Sequence, residues 1–265
     1  MNSQILVGLI FAAIIAPISY RLRLLTIGGA IAEFILGFVL LGLGGWQWTV
    51  PMLAFFIFSI ALSRFGKARK QYLRSVFDKS SIRDAWQVLA NGGVAGIIIL
   101  LNTFASADIS FVAYLGAIAA ATADTWGTEL GTISSSLPRL ITTFKRVERG
   151  RSGAISAAGT LAGLLGASVI YLTGLAWIES GYYGRALCAV VAGGVAGSLA
   201  DSILGATAQI QYQCSACGAI VERKTHCGLK TGRISGFFWL SNDAVNFFSS
   251  VAGAFVSGLT ATLFA

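Results

Sequence analysis

Residues 4–20 read QILVGLIFAAIIAPISY, an uncharged apolar stretch closed by Arg21 and Arg23. A helix needs about 17–25 such residues to cross the roughly 30 Å hydrocarbon core of a bilayer. No basic residue precedes the stretch and the basic pair follows it, the reverse of a cleaved secretory leader. It is expected to be a retained helix with its N-terminus translocated. Outward from it, apolar runs recur at 27–44, 48–63, 86–104, 109–130, 154–177, 186–210 and 243–264. The expected fold is all-α, a polytopic transmembrane helical bundle of about eight helices, with residues 1–265 forming a single integral membrane domain. Composition agrees: hydrophobic residues make up 55% and charged ones 11%, against roughly 25% charged in soluble chains. So few charges cannot cover a water-facing surface. The 32 glycines suit helices that must approach closely without a hydrophobic driving force between them. Gly92-Gly93…Gly96, Gly159…Gly163 and Gly193…Gly197 place small residues on single helix faces.

The basic residues orient this bundle. With the first span running outside to inside, the inner loops are 21–26, 64–85, 131–153 and 211–242. They hold Arg21 and Arg23; Arg64, Lys67, Arg69, Lys70, Arg74, Lys79 and Arg83; Arg139, Lys145, Arg146, Arg149 and Arg151; and Arg223, Lys224, Lys230 and Arg233. Only Arg185 of the 19 Lys and Arg falls outside. Positive-inside bias therefore predicts cytoplasmic basic loops and both termini on the opposite side. The net charge of +8 reads as orientation signal. It is spread over short loops rather than one stripe, so nucleic acid is excluded as a partner and the bilayer is the expected one. The 64–85 loop reads as an interfacial amphipathic segment.

Acidic residues stand where lipid disfavours them. Glu33, Asp124, Glu129, Asp201 and Asp243 lie in or at the edge of spans, joined by Asn91, Asn242 and Asn246. An isolated ionised group in a span costs a few kcal/mol or more, so such residues face a cavity and serve a function. On the predicted topology all of them fall toward the inner side, at one depth beneath the basic loops. That combination suits a metal-bound phosphate: carboxylates for Mg²⁺, Lys and Arg for phosphate charge, and small residues where backbone N–H groups can approach.

Spacing sharpens the picture. Asn242, Asp243 and Asn246 form N-D-x-x-N, with Asp243 and Asn246 three apart on one helix face. Gly205 follows Asp201 by one helical turn and is expected to leave room above the carboxylate for a ligand. Asp124 and Glu129 are about 140° apart around a helix. Either the helix unwinds near Gly127 and both serve one site, or they act on different ligands. Gly116-x7-Asp124-Thr125 also matches Gly193-x7-Asp201-Ser202. Each is followed by a glycine-bounded loop, Gly150-Arg151-Ser152-Gly153 or Gly232-Arg233-Ile234-Ser235-Gly236. Spans five and six, and seven and eight, thus read as a parallel internal duplication whose halves face each other across one polar cavity.

Within the last inner loop, a cytoplasmic Cys/His stretch at 211–235 carries Cys214-x2-Cys217 and then His226-Cys227, including the only His of the chain. CxxC is a metal-knuckle spacing, and the second pair can close a structural Zn²⁺ site. Whether His226 and Cys227 bind the same ion is open at this point. A reducing cytoplasmic side argues against a disulfide. Cys188, inside the seventh span, reads as a packing residue. With its single His claimed, no nucleophilic triad can be assembled. No Walker-type phosphate loop is present.

Several long motifs occur in order: ATADTWGTELG at 121–131, Gly153-Ala154-Ile155-Ser156 with Gly159-Thr160, GSLADS at 197–202, the Cys/His loop ending at Gly228, and Asn242-Asp243-x2-Asn246. With them the chain resembles the phytyl-phosphate kinase and transmembrane protein 19 family. The resemblance runs over most of the chain and is densest from about 115 to 255. It implies a membrane-embedded phosphotransferase that converts phytyl monophosphate to the diphosphate for tocopherol and prenylquinone synthesis. The implied donor is a nucleoside triphosphate, CTP. On that expectation Asp124, Glu129, Asp201 and Asp243 hold Mg²⁺ and orient the nucleotide. Lys145, Arg151, Ser152, Gly153, Lys230 and Arg233 receive its phosphates, and Asn242 and Asn246 complete the shell. A transporter of a lipid phosphate or ion is the alternative, and a non-enzymatic scaffold the third reading.

Overall fold

The structure, a computed structural model, describes residues 3–65, 82–104 and 109–263. Lys67, Arg69, Lys70, Arg74 and Lys79 of the amphipathic segment, and Asp108, lie outside the described residues. Among those described, eight α-helices follow one another: α1 (Ser3–Arg21), α2 (Ile27–Phe38), α3 (Trp46–Arg64), α4 (Ala85–Phe104), α5 (Ile109–Gly131), α6 (Ala157–Gly174), α7 (Tyr183–Thr207) and α8 (Asn242–Leu263). The chain is an integral, multi-pass membrane protein. Seven of the described helices are long and apolar enough to cross a membrane, α2 together with its π-helical extension Val39–Gly44. The remaining one, α5, is enclosed by the others: Tyr114 to Ala123 are all buried, and α3, α4, α6, α7 and α8 all pack on it. A central helix has little lipid to face, so α5 is rich in Ala and Gly rather than Leu and Ile.

Helix starts are written locally. Thr26 caps α2 by accepting from Gly29 N, and Ser156 caps α6 by accepting from Gly159 N. Asp84 and Gln87 form a reciprocal capping box at the start of α4, with bonds of 3.0 and 3.1 Å. These caps satisfy backbone donors that lipid would leave bare.

Packing between α5, α7 and α8 depends on missing side chains. A Cβ at Gly116 or at Gly193 would strike the same two residues of α8, Ser257 and Gly253. The two glycines of the repeated motif are thus equivalent contacts on one helix, and Asp124 and Asp201 sit eight residues beyond them. Ser257 Oγ donates to Ala189 O at 2.8 Å and Ser249 Oγ to Gly197 O at 2.9 Å, tying α8 to α7. At the end of the bundle away from these acids an aromatic core fills the space. Trp48 meets Phe111 and Tyr114 edge-on at 5.3 and 4.8 Å.

Short strands build the loops at the other end. β1 (Arg139–Leu140) pairs antiparallel with β2 (Ala154–Ile155). In the long connection before α8, β3 (Gln211–Gln213) lies between β4 (Ile220–Val221) and β7 (Gly232–Ser235). There β5 (Thr225–His226) and β6 (Leu229–Lys230) form a hairpin.

Candidate functional site

A cavity of about 590 Å³ opens where the C-termini of α5 and α7 meet the N-termini of α4, α6 and α8. Asp124, Glu129, Asp201, Asp243, Asn242, Asn246 and Asn91 all line it. The helix α5 runs unbroken through Gly127, so the two acids of that helix face different walls. Asp124 lies near Asp201 and Glu222, close enough for the three carboxylates to repel one another. Glu129 turns toward α3, where Ser63 Oγ donates to its Oε1 at 2.7 Å. Asp201 Oδ2 is buried without a hydrogen-bond donor.

Cations face these acids. Arg83, Arg149, Arg151 and Arg223 line the same cavity. Arg83 is fixed by backbone bonds to the α1–α2 turn, Arg83 N to Leu24 O and Thr26 N to Arg83 O. Its guanidinium lies 5.9 Å from the Phe56 ring. Burial pushes the Arg83 guanidinium below its ordinary pKa, and the nearby Glu129 charge partly restores it. Arg149 donates from its Nη2 to Ser135 O at 2.6 Å.

The loop Gly150–Gly153 forms one lip of the cavity and rests directly on α7. Gly153 has φ +78°, and a Cβ there would lie 2.6 Å from Ser202 O. Gly205 meets the same loop: a Cβ on it would be 2.9 Å from Gly153 N. The space expected above Asp201 at Gly205 is therefore filled by this loop. Ser152 Oγ donates to Glu222 Oε1 at 2.7 Å, and Gln209 Nε2 donates to the same oxygen at 2.7 Å. Glu222 thus reaches the cavity from the long loop and joins Asp124 and Asp201.

The phosphate-binding residues expected from the sequence divide. Arg151, Ser152 and Gly153 line the cavity. Lys145, Lys230 and Arg233 are exposed and do not line it. Lys145 sits on the turn after β1, and Lys230 and Arg233 on β6 and β7, strands that face away. The loop Gly232–Gly236 does not line the cavity, although Gly236, with φ +81°, packs on the Gln209 backbone much as Gly153 packs on Ser202. Sequence reasoning missed Glu222, Arg83 and Arg149 as cavity residues. One signal for Glu222 was available: it is the sole acidic residue between 211 and 241. Cys188 is exposed on α7 rather than packed, because its neighbours Ala186 and Ala189 take the buried face.

Beside the main cavity, a small apolar pocket of about 70 Å³ lies among α1, α2, α3 and α4, lined by Phe11, Ile15, Leu36, Leu40 and Met52. Phe55, Arg83, Gln87 and Asn91 line both spaces. Glu33 borders the small pocket, its Oε1 accepting from Ser19 Oγ at 3.1 Å.

The Cys and His residues of the long loop converge as well. Sγ atoms of Cys214, Cys217 and Cys227 and a ring nitrogen of His226 all lie within 4.8 Å of one another. The Cys217 backbone N–H and then the His226 ring hold the Cys214 thiol down at about 6. Hydrogen bonding to Cys217 and burial push the Cys227 thiol up to about 11.

Comparison with known proteins gives a consistent picture. The family model described as integral membrane protein DUF92 matches residues 10–254. An uncharacterized membrane protein of Methanocaldococcus jannaschii is 34% identical over 256 residues, covering 97% of this chain and 94% of that protein. Protein PGR of Arabidopsis thaliana is 31% identical over 281 residues, 95% of each chain. A more distant relative, protein VTE6, chloroplastic, of Arabidopsis thaliana, is 25% identical over 88% of this chain and 64% of that protein. No solved structure matches.

Proposed function

We propose that this chain, which belongs to the DUF92 family of integral membrane proteins, is a membrane-embedded phosphotransferase acting on an isoprenoid monophosphate. Phytyl phosphate is the acceptor and CTP the donor that the sequence resemblance implies, with the diphosphate serving tocopherol and prenylquinone synthesis. The observation that carries this reading is a single cavity holding Asp124, Asp201 and Glu222 opposite Arg149, Arg151 and the Gly150–Gly153 loop.

The donor set fits Mg²⁺. Every acidic group in the cavity offers oxygen, and Asp201 Oδ2 is a buried acceptor lacking a partner, which suits a hard cation that demands oxygen ligands. Asp124 and Asp201 would hold it, with Glu129 and Asp243 on the flanking walls. When bound, the ion offsets charge on the phosphate oxygens. The chain itself supplies the rest. Arg149 and Arg151 neutralise the donor's phosphates, and Asn242 and Asn246 offer amides to the same ligand. The acceptor phosphate is already ionised, so no general base is required. Its oxygen forms a bond to the terminal phosphorus as the bond to the bridging oxygen breaks, and the nucleoside diphosphate leaves with that electron pair. Catalysis is then positioning and charge stabilisation.

The acceptor's shape also fits. A prenyl phosphate is an anion on an apolar tail. The small pocket shares Arg83 and Asn91 with the main cavity, so a headgroup in one can continue into the other. At about 70 Å³ the pocket seats only the first part of a chain, leaving the remainder to lipid. By the positive-inside bias of its loops, the cavity faces the cytoplasm.

The test is transfer from labelled CTP, with ATP, GTP and UTP alongside, to phytyl and other prenyl monophosphates by protein purified in detergent. Diphosphate product that is lost with EDTA and in Asp201→Asn is expected. No product with any donor or acceptor, from protein that unfolds cooperatively on heating, overturns the reading.

A further inference from the structure

We infer that Cys214, Cys217, His226 and Cys227 bind one Zn²⁺ ion, and that this ion holds the ribbon that carries Glu222 into the cavity. The inference goes beyond the phosphotransfer reading and does not depend on it.

The distances argue first. In a tetrahedral zinc site with Zn–S near 2.3 Å and Zn–N near 2.05 Å, neighbouring ligand atoms stand about 3.8 Å apart for two sulfurs and about 3.5 Å apart for sulfur and nitrogen. Cys217 Sγ and Cys227 Sγ are 3.8 Å apart. His226 Nδ1 is 3.5 Å from Cys217 Sγ and 3.3 Å from Cys227 Sγ. These match three edges of a coordination tetrahedron, and Cys214 Sγ lies within 4.8 Å of all three atoms. The adjacent His226 and Cys227 therefore reach one point together, which their spacing alone left open.

Backbone geometry makes this convergence possible. Gly218 follows Cys217 with φ +74°, and its N–H donates to Cys214 O at 2.9 Å. Cys227 and Gly228 both take positive φ, 52° and 75°, in the two-residue turn between β5 and β6. Each ligand pair thus sits on a tight turn ending in a left-handed glycine. Three thiols and an imidazole, with no carboxylate among the clustered groups, form a donor set for a soft or borderline ion and not for Mg²⁺.

The knuckle is also placed to matter. It closes the outer end of the β3–β4 ribbon, where Gln213 pairs with Ile220 and Tyr212 with Val221. Glu222 is the next residue after β4, and Gln209 lies two residues before β3. Their 2.7 Å hydrogen bond, with Ser152 on the same carboxylate oxygen, is made at the inner end of that ribbon. Even with β7 on the other side of β3, strands of two to four residues supply few ladder bonds. A metal that closes one end fixes the distance between the strands at the other.

The experiment is metal analysis of the full chain purified in detergent without chelator. About one zinc per chain is expected, lost in Cys217→Ser and kept in Cys188→Ser. Replacement by Co²⁺ should give the intense visible bands of a tetrahedral thiolate site. Cys217→His, which preserves a ligand, should keep the metal with weaker sulfur-to-metal charge transfer. Chelation should expose three further reactive thiols and speed hydrogen exchange across 211–235, leaving α5 to α8 protected. Zinc-free protein with all of these thiols reactive from the start and unaffected by added Zn²⁺, or iron in place of zinc, would overturn the assignment. Metal loss without any change in exchange at 211–235 would overturn the positioning role.

Discussion

Replacing Asp201 by Asn should make the resting protein more stable and the phosphotransferase far slower. The two signs have one cause. Asp201 sits against the charges of Asp124 and Glu222, and its Oδ2 is buried without a donor. At an effective dielectric of about 20, two unit charges within the ~4–6 Å over which carboxylates perturb one another repel by about 3–4 kcal/mol at most. Asn removes that repulsion and keeps the volume. Part of the gain is lost to a buried amide with few partners, leaving about 1–2 kcal/mol, or a rise of about 2–6 °C in Tm. The same charge attracts a divalent cation about twice as strongly as it repels a carboxylate. Half of that attraction, after desolvation, is about 3 kcal/mol, which corresponds to a loss on the order of 100-fold in rate. Scanning fluorimetry in detergent with and without Mg²⁺ reads the first sign, and labelled phosphoryl transfer the second. Mg²⁺ should raise the Tm of the wild-type protein more than that of the variant. An Asp201→Asn protein with unchanged activity and an unchanged Mg²⁺ response would refute the assignment of this carboxylate.

The cavity lip predicts a contrast among cations: Arg151→Gln should lower kcat/KM by about 100-fold, as for a lost charge-assisted contact to phosphate. Lys145→Gln, Lys230→Gln and Arg233→Gln, whose side chains stand outside the cavity, should stay within about 3-fold of wild type, a difference under 1 kcal/mol. Glu222→Gln weakens two bonds to one oxygen, about 1–3 kcal/mol in all, and should lower activity while the zinc content stays unchanged. Gly193→Val drives a side chain into Ser257 and Gly253 of α8 and should cost about 1–3 kcal/mol or more, read as a lower Tm or loss of monodisperse protein. Gly184→Ala, with nothing within 4 Å, serves as its neutral control.

The helices were legible because lipid imposes a length. The expected span 86–104 and the observed Ala85–Phe104 differ by one residue, and the Asp84–Gln87 capping box seen in the structure sets the start. Asp124, Asp201 and Asp243 were legible as cavity residues for the same reason: a charge inside an apolar run has few places to go. Loop residues carry no such constraint. Lys145, Lys230 and Arg233 have the right charge, but only the strands that hold them decide which way they face. Glu222 and Arg149 were hidden by the converse effect, because their place depends on how the loops fold back, as where Glu222 meets Ser152 70 residues away. Gly205 was misjudged because a small residue signals a close approach without saying what approaches. Here it is the backbone of Gly153.

Choosing between a phosphotransferase and a transporter turns on the far half of the bundle. Transport needs an alternating route to both sides, and the polar end supplies half of one. Beyond the acids, α5 presents Tyr114, Leu115, Ile118 and Ala119, each 0% exposed. Trp48 and Phe111 close over Tyr114, whose hydroxyl bonds to the Trp48 carbonyl. The glycines that pack α5 and α7 onto α8 leave no slack for a Cβ, still less for a passing anion. Opening a path there would mean parting close-packed helices and breaking interhelical bonds such as that from Ser257 Oγ to Ala189 O, which lipid cannot replace. A cavity that shares Phe55, Arg83, Gln87 and Asn91 with an apolar side pocket would suit the proposed lipid-borne phosphate entering laterally and a nucleotide entering from the loops. The depth of the acids follows from that geometry. On the proposed reading they would lie near the headgroup of a tail-anchored substrate, and the bilayer would set the height at which the reacting groups meet.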